Sequence, residues 1–537
     1  MMDENIDVLI IGAGASGAAV AWSLADTKMK IVCLEQGDFM NPAKYPSTGR
    51  DWEARSSSDF SISPNQRRLE ADYPIAEDNS PIKVANFNAV GGGTILYAGH
   101  YPRFHPSDFR VKSLDGVADD WPLDYATLAP HYAENDRMTG VAGLGGDPAY
   151  PDDNVERMTP LPLGKSGDVL AKGFNELGWH WWPSDTAIAT QPYDGRDKCI
   201  NLGACLSGCA QGAKASTDIT YWPHALRAGV ELRTHARVRE ITVDGDGMAT
   251  GAIYYDADGV EQSVVAHVVI MACNGVGTPR ILLNSKSTAF PDGLANGSGL
   301  VGRNLMFHPY ASIQGIFEEE LDGYRGPHKI FRSQEFYETD RDDPDRDFVR
   351  GYTFEIHRGQ GPVSTALTGI RLGKIPWGGA HHLSFRKLHN RIAGMVAICE
   401  DLPEEHNRVT LDDDLKDSDG IPAPKISYTL SENSIRMMDH AVAKASKVLR
   451  AAGARDIYSQ APISYGGWHL MGTARMGTDP TRSVVNEWGR SHDVKNLFVV
   501  DGSIFVTSAG VNPTRTIQAL ALFIADQMKQ RLANLFD

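Results

Sequence analysis

Three observations predict an α/β chain of two domains. The apolar run Ile6 to Ile11 breaks into a glycine-punctuated turn followed by a helix-like stretch. The apolar run Ala266 to Ala272 reads as a buried parallel strand. Residues 313 to 459 change character, to strand-like segments separated by charged turns. The first unit is thus a Rossmann-type, doubly wound domain, and the second is a sheet-based domain inserted into it.

The N-terminal turn is Gly12-Ala13-Gly14-Ala15-Ser16-Gly17, followed by the helix-like Ala18 to Ala25 and by the run Ile31 to Leu34. Glu35 closes that run, 18 residues past Gly17. Strand, glycines, helix and acid at this spacing form the dinucleotide fingerprint. Gly12 permits the turn, Gly14 admits a pyrophosphate at the helix N-terminus beside Ser16, and Gly17 lets helix and strand approach. Glu35 would accept hydrogen bonds from an adenosine ribose, so either FAD or NAD suits this motif.

A chain of 537 residues has room for two large or three smaller units. Its 42% hydrophobic and 22% charged residues are ordinary for a globular protein. The net charge of −16 argues against nucleic acid and anionic membrane surfaces as partners. No apolar run is long enough to span a bilayer. The first strand begins so early that no signal peptide is expected, which predicts a cytoplasmic protein, or a periplasmic one only if a partner exports it. Six cysteines make no disulfide framework.

Along the chain, residues 40 to 80 read as a polar excursion, and a second glycine turn follows at Ala89 to Thr94. Four prolines between 102 and 135 predict loops and short helices. Pro223 opens a short helix that Gly229 ends, and Val230 to Val238 alternates as one half-buried strand. Gly245 and Gly247 mark a hairpin turn. Further on come a charged loop at Asp340 to Asp347, the strand-like Ile392 to Cys399, an acidic turn at Asp412 to Asp414 and the helix-like Ser431 to Ala452.

Five segments in order carry a family resemblance: the fingerprint; Val90 to Thr94; Val268 to Arg280; Gly302 to Leu305 with His308-Pro309; and the block from His469 to Thr514. Together they resemble the glucose-methanol-choline (GMC) oxidoreductases, which implies FAD rather than NAD. It also implies a discontinuous FAD-binding domain (1–135, 200–312 and 462–537) and a substrate-binding domain (136–199 and 313–461). Oxidising a CH–OH group with flavin requires a base for the hydroxyl proton while hydride moves to flavin N5, and histidine titrates in the right range. The resemblance makes His469 that base and Asn512, 43 residues later, its partner on the substrate oxygen. Pro513 and Thr514 also open an amphipathic helix whose positive end would face the flavin. By the same resemblance Gly92, Gly93 and Thr94 pass the isoalloxazine, Val238 contacts the adenine, and Asp501 and Gly502 the ribityl-pyrophosphate. Some relatives attach FAD through a histidine just beyond the second glycine turn. Here Leu96 takes that place and His100 falls later, so the FAD is expected to be non-covalent and His100 has no assigned role.

Cys199, Cys205 and Cys209 lie in a glycine-containing loop at Cys-x5-Cys-x3-Cys spacing. Two readings stand. The loop resembles that of bacterial FAD-dependent sugar dehydrogenase catalytic subunits, which hold a three-iron cluster and pass electrons to a cytochrome or small-subunit partner. Alternatively it is a packing loop with buried thiols or one disulfide. His381, His382 and His389 lack carboxylate partners at ligand spacing, and Trp179, Trp181 and Trp182 are more consistent with core than with sugar stacking. The resulting expectation is an FAD-dependent dehydrogenase of an alcohol, sugar or glycoside. The alternatives are an oxidase releasing peroxide and a non-redox lyase on the same scaffold.

Overall fold

The computed structural model describes residues 6–153, 155–358 and 360–535. The ends of the proposed nucleotide domain, residues 1–5 and 536–537, lie outside the described residues.

The strand Ile6–Ile11 sits between Ile31–Leu34 and Glu261–Met271, parallel to both, with Ile10 opposite Cys33 on one side and Ile270 on the other. Glu231–Arg233 extends the sheet beyond Ile31–Leu34, and Leu497–Val499 pairs in parallel with Glu261–Met271. That last strand shows how sequence records environment. Its first half alternates exposed and buried residues where it forms a hairpin with Ala249–Tyr255, and its last four residues are all buried where parallel neighbours flank it. Parallel strands covered on both faces need continuous apolarity. The helices Ala15–Leu24 and Thr514–Gln530 pack together over this sheet.

The second sheet is antiparallel, in the order Asp456–Gln460, Tyr310–Ile316, Ile392–Cys399, Tyr352–His357, Phe331–Ser333, Trp182–Pro183. Helices Glu432–Ala451 and Gly164–Leu177 cover one face. Ser431 caps the longer helix by accepting from the Ser434 amide, and Glu432 sits favourably in its first turn. Because side chains alternate across a strand, Phe354 and Ile356 join the helix-side core while Glu355 and His357 emerge on the opposite face. That opposite face looks toward the first sheet, and the site lies between the two. A small third sheet joins Arg408–Lys416, Pro422–Ser427 and Ala76–Asn79.

Several local expectations change. Val230 to Val238 is not one strand: the left-handed His235 (φ 53°) separates Glu231–Arg233 from Arg237–Val243, so Val238 begins a strand rather than ending one. Asp412 to Asp414 lies inside Arg408–Lys416, where the pairing register shifts. Pro130 sits within the 15-residue helix Tyr125–Thr139, capped by Asp124, where short helices were expected. We propose the domain division read from the sequence with one adjustment, placing the boundary before Tyr310 because Tyr310–Ile316 belongs wholly to the second sheet.

Candidate active site

A cavity of about 430 Å³ runs between the sheets. Gly12, Gly14, Ser16, Glu35, Gly92, Gly93, Thr94, Val238, Asp501, Gly502, Asn512, Pro513, Thr514 and His469 all line it. Gly17 does not. A Cβ there would lie 1.9 Å from the Gly12 carbonyl oxygen, so its place is in the contact between helix and turn. Gly12 itself is left-handed (φ 101°), and a Cβ on it would stand 2.6 Å from the Ala272 oxygen. Gly14 and Gly92 meet backbone to backbone, and Gly92 is the constrained partner: it is left-handed (φ 53°), and a Cβ on it would be 3.0 Å from the Gly14 Cα.

At one end, the buried Glu35 accepts from the amides of Ala13 (2.8 Å) and Gly37 (2.9 Å). Burial raises its carboxyl pKa, while these amides favour the carboxylate. Also in the cavity wall, Asp501 ties its own turn to the helix Asn274–Asn284, accepting from the amides of Ser503 and Asn274 and from the Thr278 hydroxyl.

The other end collects residues from all over the chain. His469 Nδ1 lies 2.6 Å from His308 Nδ1, and His308 Nε2 faces the carbonyl oxygens of Ala509 (2.7 Å) and Ser508 (3.2 Å). Carbonyls only accept, so the His308 hydrogen is on Nε2 and its Nδ1 is a bare acceptor. His469 must then donate from Nδ1, which leaves its Nε2 unprotonated. Burial pushes His308 down to about 4, and burial followed by the neighbouring His308 pushes His469 well below its ordinary value. Both rings are therefore neutral at neutral pH.

Asn512 is oriented by a second chain of contacts. His100 Nδ1 is 2.6 Å from Asn512 Oδ1 and 2.5 Å from Glu355 Oε1, and Lys329 Nζ is 2.9 Å from Glu355 Oε2. Burial opposes ionisation of Glu355, but Lys329 and His100 overcome it and hold the carboxyl well below the usual range. A carboxylate demands a hydrogen on His100 Nδ1, so Asn512 must offer its oxygen there. Its amide NH2 is then free to donate into the cavity. The following helix is anchored by Arg515, buried between Asp136 and Asp185.

Sequence reasoning left His100 unassigned and missed Tyr310, Lys329, Glu355, His357 and Trp468, all cavity residues except His100, which acts from behind Asn512. An available signal was the alternation of Tyr352–His357, which sets Thr353, Glu355 and His357 on one face and Tyr352, Phe354 and Ile356 on the other.

The cysteine loop does not gather a metal site. All six cysteines are free, so the alternative of one disulfide fails as well, and no group of three or more metal-ligating side chains occurs among the described residues. Lys214 explains the arrangement: its buried ammonium donates to the carbonyls of Ile95 (2.8 Å), Tyr97 (2.8 Å) and Cys205 (2.5 Å), tying the loop to the second glycine turn. Burial pushes the Cys205 thiol up to about 12. Trp179 and Trp181 pack against Phe336 and Phe331, and Trp182 donates to the Leu144 carbonyl, all outside the cavity. His381, His382 and His389 also stand outside the cavity lining.

Two family profiles described as GMC oxidoreductase match residues 6–310 and 403–521. The chain belongs to the GMC oxidoreductase family. The GMC enzymes are FAD-binding oxidoreductases. This GMC chain is 41% identical to 2-methyl-1,2-propanediol dehydrogenase of Mycolicibacterium austroafricanum, over 99% of this chain and 97% of that one. It is 32% identical to 6'''-hydroxyparomomycin C oxidase of Streptomyces lividus (99% and 92% covered) and 29% identical to the fructose dehydrogenase large subunit of Gluconobacter japonicus (98% of each). The fold is also that of pyridoxine 4-oxidase from Mesorbium loti, with a TM-score of 0.60 at 17% identity over 98% and 99% of the two chains. No helix among the described residues is long and apolar enough to cross a membrane.

Proposed function

We propose that this protein oxidises a CH–OH group of a small hydroxylated molecule with FAD held non-covalently, and that His469 and Asn512 carry the chemistry. The observation that carries this reading is the pair of oriented side chains at one end of the cavity. His469 presents a bare Nε2 and Asn512 an amide NH2, each oriented by a separate hydrogen-bond chain.

The residues along the cavity suit a flavin dinucleotide. Glu35 keeps acceptor capacity for a ribose, the Gly14–Gly92 contact removes side chains where a pyrophosphate needs backbone, and Gly93 opens toward the cavity with nothing near its missing Cβ. Bound FAD supplies the hydride acceptor. His469 Nε2 takes the hydroxyl proton, and Asn512 holds the oxygen while negative charge develops on it. The N-terminus of Thr514–Gln530 turns the positive end of a helix dipole to the cavity wall. His100 is engaged by Asn512, Glu355 and Ser184, which supports non-covalent binding. The names of the relatives, a diol dehydrogenase, an aminoglycoside oxidase and a sugar dehydrogenase subunit, support a primary or secondary alcohol within a polyhydroxylated molecule as substrate.

Anaerobic mixing of the purified flavoprotein with 2-methyl-1,2-propanediol, fructose and aminoglycoside alcohols tests the reading. Bleaching of the flavin by one of them is expected. His469→Ala should slow that bleaching by ~10²–10⁴-fold with flavin content unchanged. A flavin that no alcohol reduces, or a His469→Ala variant reduced at the wild-type rate, would overturn it.

A further inference from the structure

Between Tyr352–His357 and Ile392–Cys399 the chain leaves the second sheet as two helices, Pro362–Arg371 and His381–Leu388. The first helix is inside out. Thr365 and Gly369 face the protein, whereas Val363, Leu367 and Ile370, at i, i+4 and i+7, form an apolar stripe in solvent. Leu367 is 64% exposed; the connection adds Trp377 at 88%, and the second helix adds Leu383 at 59%. The unit is nonetheless fixed to the body. Glu53 accepts from the Val363 and Ser364 amides at the start of the first helix, and Ile375 and Leu388 pack on Ile392 beneath.

Its charge is opposite to that of the protein. Residues 358–391 hold Arg358, Arg371, Lys374, Arg386, Lys387 and Arg391 and no acid, in a chain of net charge −16. Arg358 is buried, Lys374 pairs with Asp456, and Arg391 pairs with Glu320. Exposed Arg371, Arg386 and Lys387 have no carboxylate partner among the described residues, and His381, His382 and His389 stand among them.

We propose that this two-helix excursion docks the protein peripherally on an anionic phospholipid bilayer. Large aliphatic side chains and a protruding tryptophan flanked by cations suit the boundary between acyl chains and phosphates, where each of these groups finds its preferred depth. The acidic charge elsewhere does not prevent this, because at physiological ionic strength charges farther than about 8 Å from the surface are largely screened. An acidic protein partner would satisfy the cations but not the apolar stripe. A second copy in two-fold contact would bring like charges together. Docking here would also give the cavity an orientation, since the strand carrying Glu355 and His357 leads into the first helix within five residues.

The test is flotation of the intact flavoprotein with vesicles of phosphatidylcholine alone and with about a third phosphatidylglycerol. The expected result is binding to the anionic vesicles that weakens with salt and is at least tenfold weaker on phosphatidylcholine. Leu367→Gln/Trp377→Ser/Leu383→Gln and Arg371→Gln/Arg386→Gln/Lys387→Gln should each lower the partition more than tenfold, with flavin content and turnover unchanged. Equal binding to both vesicle types, no binding, or unaffected variants would overturn the proposal. So would a concentration-dependent dimer by sedimentation that the apolar triple variant abolishes, or capture by polyglutamate without capture by vesicles.

Discussion

At the Glu35 end of the cavity, Gly12, Gly14, Ser16 and Glu35 come from one stretch of 24 residues. At the other end, the contact between His100 and Asn512 alone spans 412 positions, and His308, Lys329, Glu355 and His469 come from separate segments. The first end is made of backbone: missing side chains, a positive φ and amides pointing at a carboxylate. The second end is made of side chains whose hydrogen positions each depend on a group from a distant segment. Backbone geometry of the first kind is set by immediate neighbours, whereas the proton states of the second exist only once the two sheets face each other. Damage at the first end should therefore cost the fold and the cofactor, and damage at the second should cost rate and pH behaviour in a protein that still folds.

The largest effect belongs to Gly17→Ala. Its methyl would occupy the position of the Gly12 carbonyl oxygen, so no soluble, flavin-loaded protein is expected, measured as yield and flavin absorbance. A well-folded, fully loaded Gly17→Ala protein would break the comparison at its first end.

His308→Ala tests the second end. Removing the acceptor for His469 Nδ1–H should lower turnover by ~10²-fold while flavin content holds. The pH profile separates positioning from packing. As the proposed base His469 works when neutral, and because burial and His308 hold it well below its ordinary value, kcat/KM should stay level through pH 6.5, with the acid limb displaced below that of an ordinary histidine. With His308 gone that limb should move upward, because burial and the neighbouring ring both relax. His308→Gln, which can accept at the same position, should restore part of the rate and of the profile.

Glu355→Gln should act one step further out. Losing the carboxylate frees the His100 tautomer and with it the amide orientation of Asn512, and a drop in kcat/KM of about tenfold is expected. Lys329 is then left buried beside a neutral partner, so a loss of about 3 kcal/mol in a urea titration should accompany it.

The smallest effect per site and per pH unit is acid destabilisation. His308 is held at about 4, and His105 and His328 at about 3, chiefly by burial. Each has a folded pKa below the ordinary 6.5, so its contribution is complete above pH 6.5 and is lost as pH falls toward 4. Each should remove about 1.4 kcal/mol per pH unit in that window. A urea midpoint that does not move between pH 6.5 and 4 would show that these rings are not the buried neutral groups described.

How much was legible follows the same division. The alternation of Val230 to Val238 was visible, but the break at His235 was not, because a left-handed residue inside an alternating run leaves the polarity pattern intact. Pro130 looked like a helix breaker, yet the capped helix Tyr125–Thr139 tolerates it. His469 and Asn512 stood out through the family motif, while Glu355 was one of three polar positions in a short alternating strand and His100 lacked any local pattern. The cysteine spacing suggested a ligand set, and the decisive residue, Lys214, is distinguished only by which carbonyls the fold brings to its amine.

The residues alone thus determined the nucleotide-binding half, its glycine turns, the buried parallel strands and the family, because turn conformation and strand burial are written in adjacent side chains. The tertiary structure decided which histidine nitrogen is bare, which way Asn512 turns, that the three cysteines form no disulfide, and that an apolar stripe on Pro362–Arg371 faces outward. Hydrogen position, pKa and exposure belong to an environment, and that environment is assembled by segments far apart in the chain.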